Sequence, residues 1–169
     1  MSLGILIGGK MTYMEKALSS RITPQDNSED SGREAREPLI VVVEDGIDLS
    51  EPFRVICECL GIEVQRMLSK DDLGRVLRDR RPMAVIAAMD GAGQDGCHVL
   101  MTIAAHDRSM PALLITGPDP VLLGAVDAVE ELWELTSVEK WQDTLGVGAM
   151  VDFLFRAGRK GGCIRLMSV

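Results

Sequence analysis

Five residues constrain this chain more than any others: Leu39-Ile40-Val41-Val42-Val43, an unbroken apolar run rich in β-branched side chains. A strand with one wet face alternates apolar and polar residues. A run without alternation predicts a strand covered on both faces, as in a parallel sheet sandwiched between helices. Two later runs, Met83 to Met89 and Ala112 to Thr116, share this character. Only 4% of the residues are aromatic against 46% apolar in all, so the core must be built from Val, Ile, Leu, Met and Ala.

The segments between these runs read as helices. Ser50 is a candidate N-cap with Pro52 in the first turn, for a helix running to Leu60, and Gly61 is its C-cap. Ile62 to Met67 is a strand. Ser69 caps a second helix, with Asp71 and Asp72 in its first turn, arginines in its last and Pro82 as its stop. Gly96 to Asp107 and Asp119 to about Glu131 read as the next two helices. Leu132 to Val138 reads as a poorer fifth strand, and Glu139 to about Ala157 as the last helix, ended by Gly158-Arg-Lys-Gly-Gly162. Five β-α repeats with short connections and right-handed crossovers predict an open, doubly wound α/β sheet.

The flanks differ from this body. Residues 1–37 are expected to form a flexible extension, because Leu18 to Glu37 is polar and offers too little apolar surface to offset the entropy of ordering. Residues 38–158 form the domain, and 159–169 a tail. The net charge of −8 argues against nucleic acid or anionic membrane as partners, since both demand clustered cations. No apolar run reaches the ~20 residues of a membrane-spanning helix, so the chain is expected to be cytoplasmic. Cys57, Cys59, Cys97 and Cys163 show neither zinc-knuckle nor CxxC spacing and read as reduced thiols. His98 and His106 lie two helical turns apart, which is not an i, i+4 metal pair. With only two histidines, neither near Ser50 or Ser137 in sequence, a Ser-His triad has no support. Gly4 to Lys10 fits G-x-x-x-x-G-K, but Met11 replaces the Ser or Thr that would hold Mg²⁺, and no buried strand precedes it.

Alternation alone leaves strand order open. A dinucleotide-binding half would want a Gly-rich turn after the first strand, whereas Glu44-Asp45-Gly46-Ile47 offers acids. The motifs resemble instead the bacterial response-regulator receiver domain. Arg81-Pro82-Met83-Ala84-Val85-Ile86-Ala87-Ala88-Met89-Asp90-Gly91-Ala92-Gly93-Gln94-Asp95-Gly96 aligns without a gap with the receiver pattern R-P-D-L-V-L-L-D-x-x-M-P-x-x-D-G. Val42-Val43-Glu44-Asp45 is similar to the strand and acidic pair that hold Mg²⁺ in receivers. Pro111 to Gly117 is similar to the fourth strand with its switch hydroxyl, here Thr116. The resemblance spans Pro38 to Gly158. It implies a flavodoxin-like (βα)5 fold with a five-stranded parallel sheet in the order 2-1-3-4-5.

The resemblance also shows what has been lost. The phospho-acceptor column falls on Ala88, whose methyl group can neither accept a phosphoryl group nor bind a metal. The fifth strand of a receiver ends in Lys-Pro; here Leu132 to Ser137 holds no cation, and Lys140 is expected in the following helix. The loop Pro has become Ala92. Asp90 lies two residues past the acceptor column, nearly 7 Å away at ~3.3 Å per strand residue, and reads as a turn residue before Gly91. Glu44 and Asp45 retain the outline of a weak Mg²⁺ site, short of one carboxylate; no other cofactor is implied.

These departures predict a stand-alone pseudo-receiver of two-component-type signalling, not an enzyme, that works by protein–protein interaction. Its partner would be another signalling protein or a second copy. Receivers pair through their fourth helix, fifth strand and fifth helix, and the matching region contains Trp133, Trp141, Phe153 and Phe155 as candidate interface residues. The alternative is a phosphorylatable receiver or small Mg²⁺-dependent phosphoryl enzyme using Glu44, Asp45 and Asp90. A third reading is a fragment of a larger scaffold.

Overall fold

A computed structural model describes residues 36–44, 50–89, 94–142 and 146–163. The chain divides into two units, residues 1–34 and 35–169, and every described residue belongs to the second. The expectations for Gly4 to Lys10, for the N-terminal extension up to residue 35, for Asp45, Asp90 and Ala92, and for the tail beyond Cys163 lie outside the described residues.

Strand β1 (Leu39–Val43) is followed by helix α1 (Ser50–Leu60), β2 (Glu63–Met67), a 3-10 turn (Lys70–Asp72) and α2 (Leu73–Arg80). Then come β3 (Ala84–Met89), α3 (Gln94–His106), β4 (Ala112–Thr116), α4 (Pro120–Trp133), β5 (Val138–Trp141) and α5 (Val147–Gly161). All pairings are parallel and the order is β2-β1-β3-β4-β5, as the resemblance to receivers implies. The continuous runs earn their central places: every residue of β1 and β3 is buried. Side chains alternate between two cores. Val41, Val43, Val85, Ala87 and Leu114 pack beneath α2, α3 and α4, whereas Ile40, Val42, Ile86, Ala88 and Leu113 pack beneath α1 and α5.

The punctuation works as its chemistry requires. Gly61 ends α1 at φ +67, a conformation that penalises any Cβ. The Ser69 hydroxyl accepts from the Asp71 N–H and the Asp119 carboxylate from the Val121 N–H, each satisfying an orphan donor at a helix start. Ser50, expected as an N-cap, is the first residue of α1.

The fifth repeat departs from the sequence reading. Leu132 and Trp133 belong to α4, not to a strand, and Glu134 closes that helix in the left-handed region, its N–H reaching Glu130 and Glu131 carbonyls. The fifth strand is the later Val138–Trp141, and the last helix starts at Val147 after Gly146 rather than near Glu139. Gly158 does not stop α5; it is buried inside it, and Gly162 at φ +66 is the true cap. The cause is that β5 is an edge strand of four residues, half-buried throughout and carrying Glu139 and Lys140. Charges suit an edge but erase the apolar signature of a strand.

Candidate functional site

Glu44, Ala88 and Thr116 meet at the carboxyl ends of β1, β3 and β4, where ligands bind in open α/β sheets. The register sets their levels. Val43 pairs with Ala87, which places Glu44 level with Ala88, and Thr116 pairs with Met89. Asp45 and Asp90, the other two carboxylates of interest, lie outside the described residues.

Each of the three positions is committed to structure. Ala88 is buried in the core beneath α1 and α5. Glu44 is buried as well. Its N–H donates to the Met67 carbonyl, and its Oε2 accepts from Arg66 Nε at 3.0 Å and Nη2 at 2.6 Å. Arg66 stands on β2 opposite Val42, so the parallel register carries its guanidinium forward to Glu44. A carboxylate that binds a hard cation must offer its lone pairs outward; here a resident guanidinium takes one oxygen. Thr116 is fully buried, and its hydroxyl has no hydrogen-bond partner among the described residues.

The fourth component, a cation at the end of the fifth strand, is absent for a reason the sequence misplaced. Lys140 lies on β5, not in the following helix, opposite Leu114. Its Nζ donates to Asp127 Oδ1 at 2.5 Å and forms an ion pair with Glu130 Oε1 at 2.9 Å, both on α4. Burial disfavours its charge, but hydrogen bonds and charge attraction from Asp127 and Glu130 outweigh that and raise its pKa above the ordinary lysine value. One step past the strand, level with Thr116, the chain presents Gln142.

Met89 and Gly96 add a constraint that no sequence pattern flagged. A Cβ on Gly96 would stand 2.3 Å from the Met89 side chain, so the thioether occupies the space beside the first turn of α3. The Asp95-Gly96 pair that looks like a receiver signature therefore keeps its glycine for a packing reason. Arg66 was missed too. Its signal was a lone cation in the short edge strand β2, but its partner lies 22 residues away and is chosen by register.

The aromatic candidates divide. Phe153 is a correction to the interface expectation: it is 1% exposed and meets Trp141 edge-to-face, ring centroids 6.5 Å apart, pinning β5 against α5. Trp133 and Trp141 are half-buried, and Phe155 is exposed at 37%. The apolar Val151 to Phe155 run thus serves the core through Phe153 and Leu154 and faces outward through Phe155. Burial raises the Cys57 thiol to about 12, so it stays protonated. Among the described residues there is no group of three His, Cys, Asp or Glu side chains able to hold a metal, and no helix long and apolar enough to cross a membrane.

No family model and no curated protein matches the chain. Solved structures do. The beryllofluoride-activated NtrC receiver domain is 14% identical at a TM-score of 0.56, covering 74% of this chain and 97% of its own. A response regulator receiver protein from Pseudomonas putida is 17% identical at 0.56, covering 72% and 98%. A CheY-like receiver domain from Methylobacillus flagellatus is 18% identical at 0.54, covering 71% and 98%. With the strand order and the crossovers above, these matches show that residues of the second unit adopt the response-regulator receiver fold.

Proposed function

We propose that this chain is a pseudo-receiver: a binding module of two-component-type signalling that has given up aspartate phosphorylation and acts by holding a protein partner. The observation that carries the reading is Ala88, a buried methyl group level with Glu44 at the end of the central strand, where a receiver needs a nucleophilic carboxylate. The surroundings support it. Glu44 is engaged by Arg66, Lys140 by Asp127 and Glu130, and the buried Thr116 hydroxyl serves no partner among the described residues. A phosphoryl transfer needs acceptor, cation and charge-neutralising lysine at one place, and a single substitution would not reassemble them.

The test is uptake of a phosphoryl mimic. The full chain is titrated with Mg²⁺ and beryllofluoride while fluorine NMR is recorded, and separately incubated with acetyl phosphate and weighed intact. The expected result is no saturable bound fluoride signal and no added phosphoryl mass. A bound signal that Asp45 or Asp90 substitution removes would replace this reading with a working phospho-switch.

A further inference from the structure

A cavity of about 320 Å³ opens at the amino end of the sheet, the end opposite Glu44, Ala88 and Thr116. Its walls come from Pro111 before β4, from the start of β5 at Ser137 and Val138, and from the later turns of α5. The floor is apolar: Phe153 and Ala157 are each 1% exposed, and Pro111 and Val138 are half-buried. Above it stand two cations. Arg156 and Lys160 are four residues apart and so share one face of α5. Lys160 Nζ donates to Ser137 Oγ, a neutral acceptor, and forms no ion pair among the described residues. Arg156 binds Glu139 through Nε at 3.2 Å and Nη2 at 2.8 Å, bonds that leave the two N–H groups of Nη1 uncommitted. Asp107 feels the Lys160 charge without pairing to it; its Oδ1 accepts from the Ser109 N–H and hydroxyl.

We infer that this cavity binds a small organic acid, its single carboxylate between Lys160 and Arg156 and its apolar body on Phe153. Size excludes a bare ion. The volume is roughly ten times the ~30 Å³ that a water molecule takes in the liquid, and it sits at the lower end of the ~300–1,000 Å³ of small-molecule sites. Charge sets the ligand at one carboxylate. The lining holds two cations and one carboxylate, Glu139, a balance of one positive charge in a chain whose net charge is −8. A monoanion completes that balance, whereas a phosphate dianion would repel Glu139. A carboxylate is also a better acceptor for Lys160 than the Ser137 hydroxyl, because charge-assisted hydrogen bonds are about twice as strong as neutral ones. The freed Ser137 hydroxyl then donates to the second carboxylate oxygen. The bound acid bridges α5 to the start of β5 beside the Arg156–Glu139 pair, giving the fold a chemical input at its edge strand. The inference goes beyond the binding-module reading and does not rest on it, since the cavity lies at the other end of the sheet from Ala88.

The probe is benzoate, titrated at constant pH and ionic strength into the ¹⁵N-labelled full chain, with benzamide as the uncharged control and inorganic phosphate as the bare anion. The expected result is saturable shifts centred on Ser137, Val138, Ala157 and Lys160, with a Kd on the order of 1 mM or below for benzoate. Benzamide and phosphate bind at least ~tenfold more weakly. Lys160→Gln weakens benzoate binding ~tenfold or more, and Lys160→Arg restores most of it. Arg159→Gln makes the same change in net charge on the outer face of α5, turned ~60–100° from the two cations, and leaves binding unchanged. Ser137→Ala weakens binding ~threefold and repeats the test should Lys160→Gln lower the melting temperature. No saturable shift, shifts centred elsewhere, or benzamide binding equal to benzoate would overturn the inference. So would binding indifferent to both Lys160→Gln and Ser137→Ala, or weakened as much by Arg159→Gln. Phosphate binding as tight as benzoate would also overturn it, naming a bare-anion site instead. Beryllofluoride uptake tests the proposed function at the opposite end of the sheet, so the two failures can be told apart.

Discussion

At the scale of single residues, the site at the strand ends makes opposite demands on its members. Thr116 carries a buried hydroxyl with no partner among the described residues, an arrangement that costs stability. Thr116→Val is therefore expected to be neutral or stabilising, by up to about 1 kcal/mol in chemical denaturation. A working switch hydroxyl would instead leave a functional deficit. Arg66 behaves the other way. Arg66→Met withdraws two charge-assisted hydrogen bonds from the buried Glu44 and should cost about 1.5–3 kcal/mol, read as a lower midpoint at unchanged m-value. Ala88→Asp puts a second carboxylate level with Glu44 in the core beneath α1 and α5. The expected outcome is a lower melting temperature and still no phosphoryl mass from acetyl phosphate, because Lys140 is held on α4.

At the scale of elements, Lys140 ties the edge strand to a helix that buries little of itself. Lys140→Met should raise amide exchange across α4 and β5 while leaving β1 and β3 protected. The raised pKa fixes the sign of a pH effect. The folded protein holds this proton more tightly than the unfolded chain, so the contribution is complete below the ordinary lysine value of ~10.4 and is lost as pH climbs through the raised folded value. Alkaline titration of the wild type should loosen α4 in that window, and Lys140→Met should remove the dependence. The elements also show what a sequence can disclose. β1, β3 and β4 were legible because burial on both faces leaves an unmistakable apolar run. β5 was not, because an edge strand of four residues with two charges carries no such mark, while the apolar Leu132-Trp133 that imitated one completes α4.

At the scale of the whole molecule, the sheet should unfold from its margins inward. β1 and β3 are wholly buried, whereas β2 and β5 are edges with exposed or half-buried residues. Native-state hydrogen exchange should place the slowest amides in β1, β3 and β4 and faster ones in β2, β5 and α4; uniform protection would count against this gradient. The candidate site was legible in outline for the same reason as the fold. Runs that end abruptly locate the strand ends, and hence Glu44, Ala88 and Thr116. What fills the space around them was not legible, since the Glu44–Arg66 pair and the seating of Met89 against Gly96 depend on which strands and turns become neighbours.

The pairing of Glu44 with Arg66 bears on the history of the chain. If the proposed function holds and Ala88 were its only departure, one codon would supply the missing acceptor. Once Arg66 has come to neutralise Glu44, Lys140 to brace α4 and Met89 to rest against Gly96, each of these residues has an occupation of its own. On that reading, building a phosphorylation site here requires several coordinated replacements, most of them harmful when made singly. Under the proposed function these commitments act as a ratchet, and related chains are expected to vary on their outer helices rather than to place a carboxylate at position 88.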